Sequence, residues 1–159
     1  MAVSHPTYVG CSVAEPWRRL SGFWEWAEPR WSPGLQLDKD ILVPGNRVYG
    51  PETCCFVSQA LNNLVKVPRA KRGTLPAGVV VRRGLFQARC WVGGKRKNLG
   101  SFGSPEEAHA VYVEFKVGQI REASGEQDDA RIATGLERHA RLLEASVFAQ
   151  PLPDGLRVQ

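Results

Sequence analysis

The reading of the chain turns on residues 78–115, GVVVRRGLFQARCWVGGKRKNLGSFGSPEEAHAVYVEF. Three strand-length runs, GVVVRR, LFQARCWV and KRKNLGSF, are separated by Gly84 and by Gly93-Gly94. Adjacent glycines between strand runs signal a hairpin, because the tight turns that match strand twist need positive φ. The middle run alternates, with Phe86, Ala88, Cys90 and Val92 on one face and Leu85, Gln87, Arg89 and Trp91 on the other. A face with a glutamine, an arginine and a tryptophan cannot make a core by itself. Next comes a strong helix start. Ser104 is the N-cap and Pro105 the first helical residue, while Glu106 and Glu107 lie at the positive end of the dipole. Ala108, Val111, Tyr112 and Phe115 form the apolar stripe expected to cover the Phe86/Ala88/Cys90 face. The expectation is a three-stranded antiparallel sheet packed on one helix, over residues 77–120.

Upstream, residues 67–76 hold Pro68, Pro76, Gly73 and three basic residues, and read as a basic linker. Residues 1–66 read as a separate module. Pro16 starts a tryptophan-rich helix in which Trp17, Leu20, Trp24 and Ala27 share the core face, and Pro29 ends it. Residues 35–65 follow as extended, turn, extended, helix. The turn is Pro44-Gly45-Asn46, and Ser58 caps a helix through Leu61, Leu64 and Val65. Downstream, residues 121–159 carry one more helix and a loose tail. Ile132, Leu136, Ala140 and Leu143 face its partner, and Gly135 is its weak point. This helix packs on one of the modules or mediates self-association. The fold class is α+β.

Charge is segregated. Of 21 Lys and Arg, ten lie between Thr53 and Pro105, a stretch without a single Asp or Glu. That stretch carries +10, and the rest of the chain, with 11 basic and all 16 acidic residues, carries −5. One-sign segregation over such a length points to a polyanionic partner. No apolar run is long enough for a transmembrane helix. No basic segment followed by an apolar one marks a secretory signal, so a cytoplasmic location is expected. Cys11, Cys54, Cys55 and Cys90 fall in no C-x-x-C pair and read as reduced thiols, with zinc or disulfides as the alternatives.

Residues 77–115 resemble the APETALA-two/ethylene-response-factor-type DNA-binding domain. The likeness rests on a Gly-Val opening of the first strand, an aromatic plus A-R in the second, and LGSF-x-[ST]-x-EEA-x-A-x-Y into the helix. In that family the sheet lies in the major groove of double-stranded DNA and the helix packs behind it. Carried over, Arg82, Gln87, Arg89, Trp91, Arg96 and Asn98 are the outer-face candidates, with Val80 and Asn98 where the plant domains have arginine and tryptophan. Arginine suits guanine and glutamine suits adenine. Lys95 and Lys97, taken as hairpin-tip residues, suit phosphates, as do Arg83 and the linker residues Arg69, Lys71 and Arg72.

Residues 7–65 are similar to phage-encoded proteins related to HNH homing endonucleases, through TYVGCSV-x-E-x-W and G-x-QLDKDILVPGN-x-VY-x-PETC-x-FV. Such a unit is a β-hairpin plus helix around one metal, with a histidine base on the first strand. Here the base position offers Lys39 or Asp40, with Asn46 in the loop and Asn62 or Asn63 on the helix. His5, His109 and His139 all lie outside the hairpin. A lysine of ordinary pKa, about 10.4, is protonated at neutral pH and is no base. Asp38 and Asp40 alternate on one strand face, where they either hold a divalent metal such as Mg²⁺ or join a salt-bridge network. The expected function is a phage or mobile-element DNA-binding protein with a degenerate nuclease module. An active metal-dependent endonuclease and an accessory protein that binds a host protein are the alternatives.

Overall fold

The computed structural model describes residues 10–66 and 75–148. Arg69, Lys71, Arg72 and His5 lie outside the described residues, as does most of the expected linker. The protein is α+β, with a three-stranded antiparallel sheet packed against a long helix. It divides into two compact units. The first comprises the residues up to Lys66 together with Glu122–His139, and the second Val67–Arg121 with the residues from Ala140 on. The C-terminal helix contributes its residues up to His139 to the first unit and those from Ala140 on to the second.

In the first unit, β1 (Ser12–Val13) pairs in parallel with β3 (Val48–Tyr49), and β2 (Leu35–Asp38) pairs antiparallel with β4 (Cys55–Ser58). The helix α2 (Gln59–Val65) follows β4 at once, and Ser58 caps it by accepting the Leu61 N–H at 3.1 Å. The tryptophan helix differs from expectation. A 3-10 turn over Glu15–Trp17 is broken by extended Arg19 before α1 (Leu20–Ala27) begins. The break changes the helical phase, so Leu20 and Trp24 face solvent at 80% and 56% exposure. Trp17 and Ala27 are buried as expected, and Trp17 packs edge-on to half-buried Phe23 and Trp26, with Trp26 stacked on Phe56 at 5.4 Å. Gly22 permits the fold-back, since a Cβ there would lie 2.0 Å from the Pro16 carbonyl oxygen.

In the second unit, β5 (Val79–Arg82), β6 (Leu85–Val92) and β7 (Lys95–Phe102) lie in that order, joined by two-residue turns. The turns are left-handed at Arg83-Gly84 and Gly93-Gly94, with φ of 53° and 77°, then 55° and 76°. Val79, Ala88 and Cys90 are buried beneath α3 (Pro105–Gly125). Ser104 caps α3 by accepting the Glu107 N–H at 3.2 Å. The buried stripe of α3 is wider than expected and rotated from it. It takes in Ala108, His109, Tyr112, Val113, Lys116 and Val117, whereas Val111 and Phe115 are half-buried. The stripe also carries polar groups that apolar periodicity passes over.

The helix α4 (Ala130–Phe148) starts where the Asp129 carboxylate accepts the Arg131 N–H at 2.8 Å. Ile132, Leu136, Ala140 and Leu143 are all buried, as their spacing predicts. In the second unit, Arg121 forks onto the Glu144 carboxylate at 2.7 and 2.9 Å. No helix among the described residues is long and apolar enough to cross a membrane.

Candidate nucleic-acid interface and the DKD loop

Strand pairing decides which side chains share the open face of the sheet. Across β5 and β6, Arg82 lies opposite Leu85 and Val80 opposite Gln87. Across β6 and β7, Gln87 lies opposite Ser101, Arg89 opposite Asn98, and Trp91 opposite Arg96. Arg82, Gln87, Arg89, Trp91, Arg96 and Asn98 therefore occupy one face, as their positions in the strands predict. Trp91 stands 57% exposed, and the Arg96 guanidinium lies over its ring at 5.2 Å. Gln87 accepts from Arg89 Nη2 at 2.7 Å and donates to Ser101 Oγ at 3.2 Å. No acidic residue stands anywhere in the three strands.

Ser101 is the member of this face that sequence reasoning missed. Simple alternation from Asn98 would place Gly100 on the open face. A register shift between Ala88 and Arg89 leaves Leu99 unpaired, so that Gly100 lies opposite Ala88 and Ser101 opposite Gln87. Gly100 takes φ of 144°, and its N–H bonds Asn98 Oδ1 at 3.4 Å. A glycine inside a strand run was the available signal of this bulge.

Lys95 and Lys97 are both exposed, and Lys95 directly follows the Gly93-Gly94 turn. Lys95 lies opposite Val92 and Lys97 opposite Cys90, so both take the parity of the helix-covered side. Lys97 places its ammonium 4.7 Å from the centre of the Phe115 ring. Arg83 sits in the β5–β6 turn and is exposed.

The DKD loop of the first unit is internally satisfied. β2 ends at Asp38, so Asp38 and Asp40 do not share a strand face. The cause is local: Asp38 Oδ1 accepts the N–H groups of both Asp40 and Ile41 at 2.7 Å, an Asp-centred turn that competes with the ladder. Lys39 Nζ bonds both oxygens of Asp40, at 2.7 and 2.8 Å, and the Asn46 carbonyl at 2.8 Å. The Asn46 amide donates to the Lys39 and Val48 carbonyls and accepts from the Val48 N–H. On α2, Asn62 bonds Gln36 and Asn63 bonds Gln59.

Helix α4 then covers the loop. His139 Nε2 meets the Asp40 carbonyl at 2.9 Å, and Arg138 donates to the Leu42 carbonyl at 2.9 Å. Arg131 Nη2 donates to the carbonyls of Pro51 and Glu52. Gly135 is the seat of this contact and not a weak point, since a Cβ there would lie 2.4 Å from the Ile41 carbonyl oxygen. A shallow cleft of about 360 Å³ runs alongside, and Arg131 and Arg138 in its wall are the same guanidiniums that hold the loop carbonyls.

This arrangement does not suit a divalent cation. One Asp38 oxygen is committed to backbone donors, the Asp40 carboxylate is neutralised by an ammonium, and Asn46 Oδ1 accepts the Val48 N–H. Among the described residues no three His, Cys, Asp or Glu side chains are grouped to hold a metal. Among the described residues no cysteine is in a disulfide, and Cys54 and Cys55 are both buried. Burial pushes the Cys55 thiol up to about 12, with the Asp38 charge adding to the effect, and burial raises Cys54 as well. Both are held protonated and are poor ligands. His109 is buried and bonds the Ala77 carbonyl at 2.8 Å.

Comparison of the chain with protein-family models, with curated proteins and with solved structures finds no match to any of the three.

Proposed function

We propose that the protein binds double-stranded DNA with the open face of its three-stranded sheet, laid in the major groove, and that the first unit is a scaffold without nuclease chemistry. The observation that carries this reading is the gathering of Arg82, Arg89 and Arg96 with Gln87, Asn98 and Trp91 on one acid-free face. A twisted antiparallel ribbon fits the major groove, and arginines there read guanine or contact phosphate. The likeness of residues 77–115 to the APETALA-two/ethylene-response-factor-type domain supports the same use of the sheet. The likeness of residues 7–65 to HNH-related phage proteins supports a phage or mobile-element origin and a place in the bacterial cytoplasm.

The first unit supports scaffolding because each polar group expected to do chemistry bonds the loop itself. Asp38, Lys39, Asp40 and Asn46 fix the backbone that α4 covers. Two assays test the reading. A duplex pool should be retarded by the protein at low salt, with binding falling steeply as salt rises. Supercoiled plasmid with Mg²⁺ or Mn²⁺ should stay intact. Cutting that vanishes in Asp40→Ala would overturn the scaffold reading, and absence of retardation at low salt would overturn DNA binding.

A further inference from the structure

We infer that Gln87 and Ser101 form a positioning relay that presents Arg89 to one guanine, so that Arg89 specifies a single G·C pair and Gln87 reads no base. The inference rests on the DNA-binding reading above and deepens it. A free glutamine in the major groove is an adenine reader, because its oxygen and its NH₂ match adenine N6 and N7. On this sheet both ends of Gln87 are already engaged. Oε1 accepts from Arg89 Nη2 at 2.7 Å, and Nε2 donates to Ser101 Oγ at 3.2 Å.

The direction of the relay is fixed by chemistry. A guanidinium offers donors only, so the end of the amide that faces Arg89 must be the oxygen. The NH₂ then faces Ser101, whose hydroxyl can accept. Because the partner is a neutral amide and not a carboxylate, Arg89 keeps its full positive charge. Four of its five N–H donors remain for O6 and N7 of a guanine. Arg89 is also half-buried and sits on the central strand, flanked by β5 and β7. Arg96 differs. It stacks on Trp91 near the Gly93-Gly94 turn, at the end of the sheet, a place suited to a phosphate contact.

The bulge supplies the third member. Were Leu99 paired opposite Ala88 in regular register, Gly100 would lie opposite Gln87 and offer no side chain. The register shift brings Ser101 there instead. The bulge thus adds a hydroxyl to the open face at the one place where the glutamine NH₂ needs an acceptor.

Selection of sites from a randomised duplex pool, using the full chain and its variants, tests this. The wild type should enrich a motif with a guanine preferred by ~10-fold or more at one position. Arg89→Ala should flatten that position. Gln87→Ala and Ser101→Ala should weaken the same position to a preference of about two- to threefold and leave the others unchanged. Ser101→Thr, which keeps the hydroxyl, should behave as wild type. If Gln87→Ala flattens a different position, one that prefers adenine, Gln87 reads a base and the relay is overturned. An unchanged guanine preference in Gln87→Ala overturns it equally. Binding by the wild type with no base preference sinks the relay alone. Failure of the wild type to retain any duplex at low salt sinks the DNA-binding reading beneath it.

Discussion

Lys116 is a buried ammonium in the second unit. It lies 5% exposed on the buried stripe of α3, and burial pulls its ammonium below the ordinary 10.5, partly offset by the neighbouring Cys90 thiol. A base whose folded pKa is depressed binds fewer protons in the folded chain than in the unfolded one. Stability therefore rises with pH from the folded value up to 10.5, and the penalty is fullest below that window. Lys116→Met should raise unfolding free energy at pH 7 by about 1–3 kcal/mol, with a smaller gain at about pH 10, inside the window that closes at 10.5. Urea titrations of both proteins at the two pH values measure it. Gly78 is the opposite case. Its φ is 76°, and a Cβ would lie 2.2 Å from the Tyr112 ring. Gly78→Ala should cost about 2–4 kcal/mol, read from the same titrations. At this scale much was legible: the caps Ser58 and Ser104 and the open-face set from Arg82 to Asn98 all stand where the residue types put them. Lys116 was not legible, because a lysine gives no sign in sequence that its neighbours will bury it.

Among elements, the strands of the second unit followed from their turns, and the positions that escaped were those where a local event shifts the phase. Extended Arg19 resets α1, so a stripe counted from Trp17 lands on solvent at Leu20 and Trp24. The Leu99 bulge resets β7, so Ser101 joins a face that plain alternation denies it. The side-chain turn at Asp38 ends β2 two residues early and dissolves the paired-carboxylate face. In each case one hydrogen bond or one unpaired residue outweighs a periodic pattern. The loop from Asp38 to Val48 makes a direct prediction. Asn46→Ala removes three side-chain bonds to backbone and should destabilise the first unit by about 2–3 kcal/mol, visible as a lower unfolding midpoint. Gly135→Ala should destabilise by about 1–3 kcal/mol, because the Ile41 carbonyl blocks the new methyl group. A helix interior would otherwise gain from that change. The sign of this effect separates a seat for the loop from a mere helix flaw.

At the scale of the whole molecule, charge and connectivity tell different stories. The +10 stretch was visible in sequence and, within the described residues, gathers Arg82, Arg89 and Arg96 on the open face of one sheet. The division of labour along α4 was not visible, because Gly135, Arg138 and His139 find partners nearly a hundred residues away in the chain. Those contacts clasp the DKD loop, the segment where the sequence placed any residual chemistry. The central claim is that the open face, and not the helix side, meets DNA. Fluorescence anisotropy on a labelled duplex at low salt, with Arg89→Ala/Arg96→Ala beside Lys97→Ala, measures it directly. Loss of both face arginines should weaken binding by ~10-fold or more and flatten the salt dependence by about one contact, that of Arg96. Lys97→Ala should leave affinity within about twofold of wild type, since its ammonium lies over Phe115. Unchanged affinity in the double variant, or a larger loss in Lys97→Ala, would contradict the account.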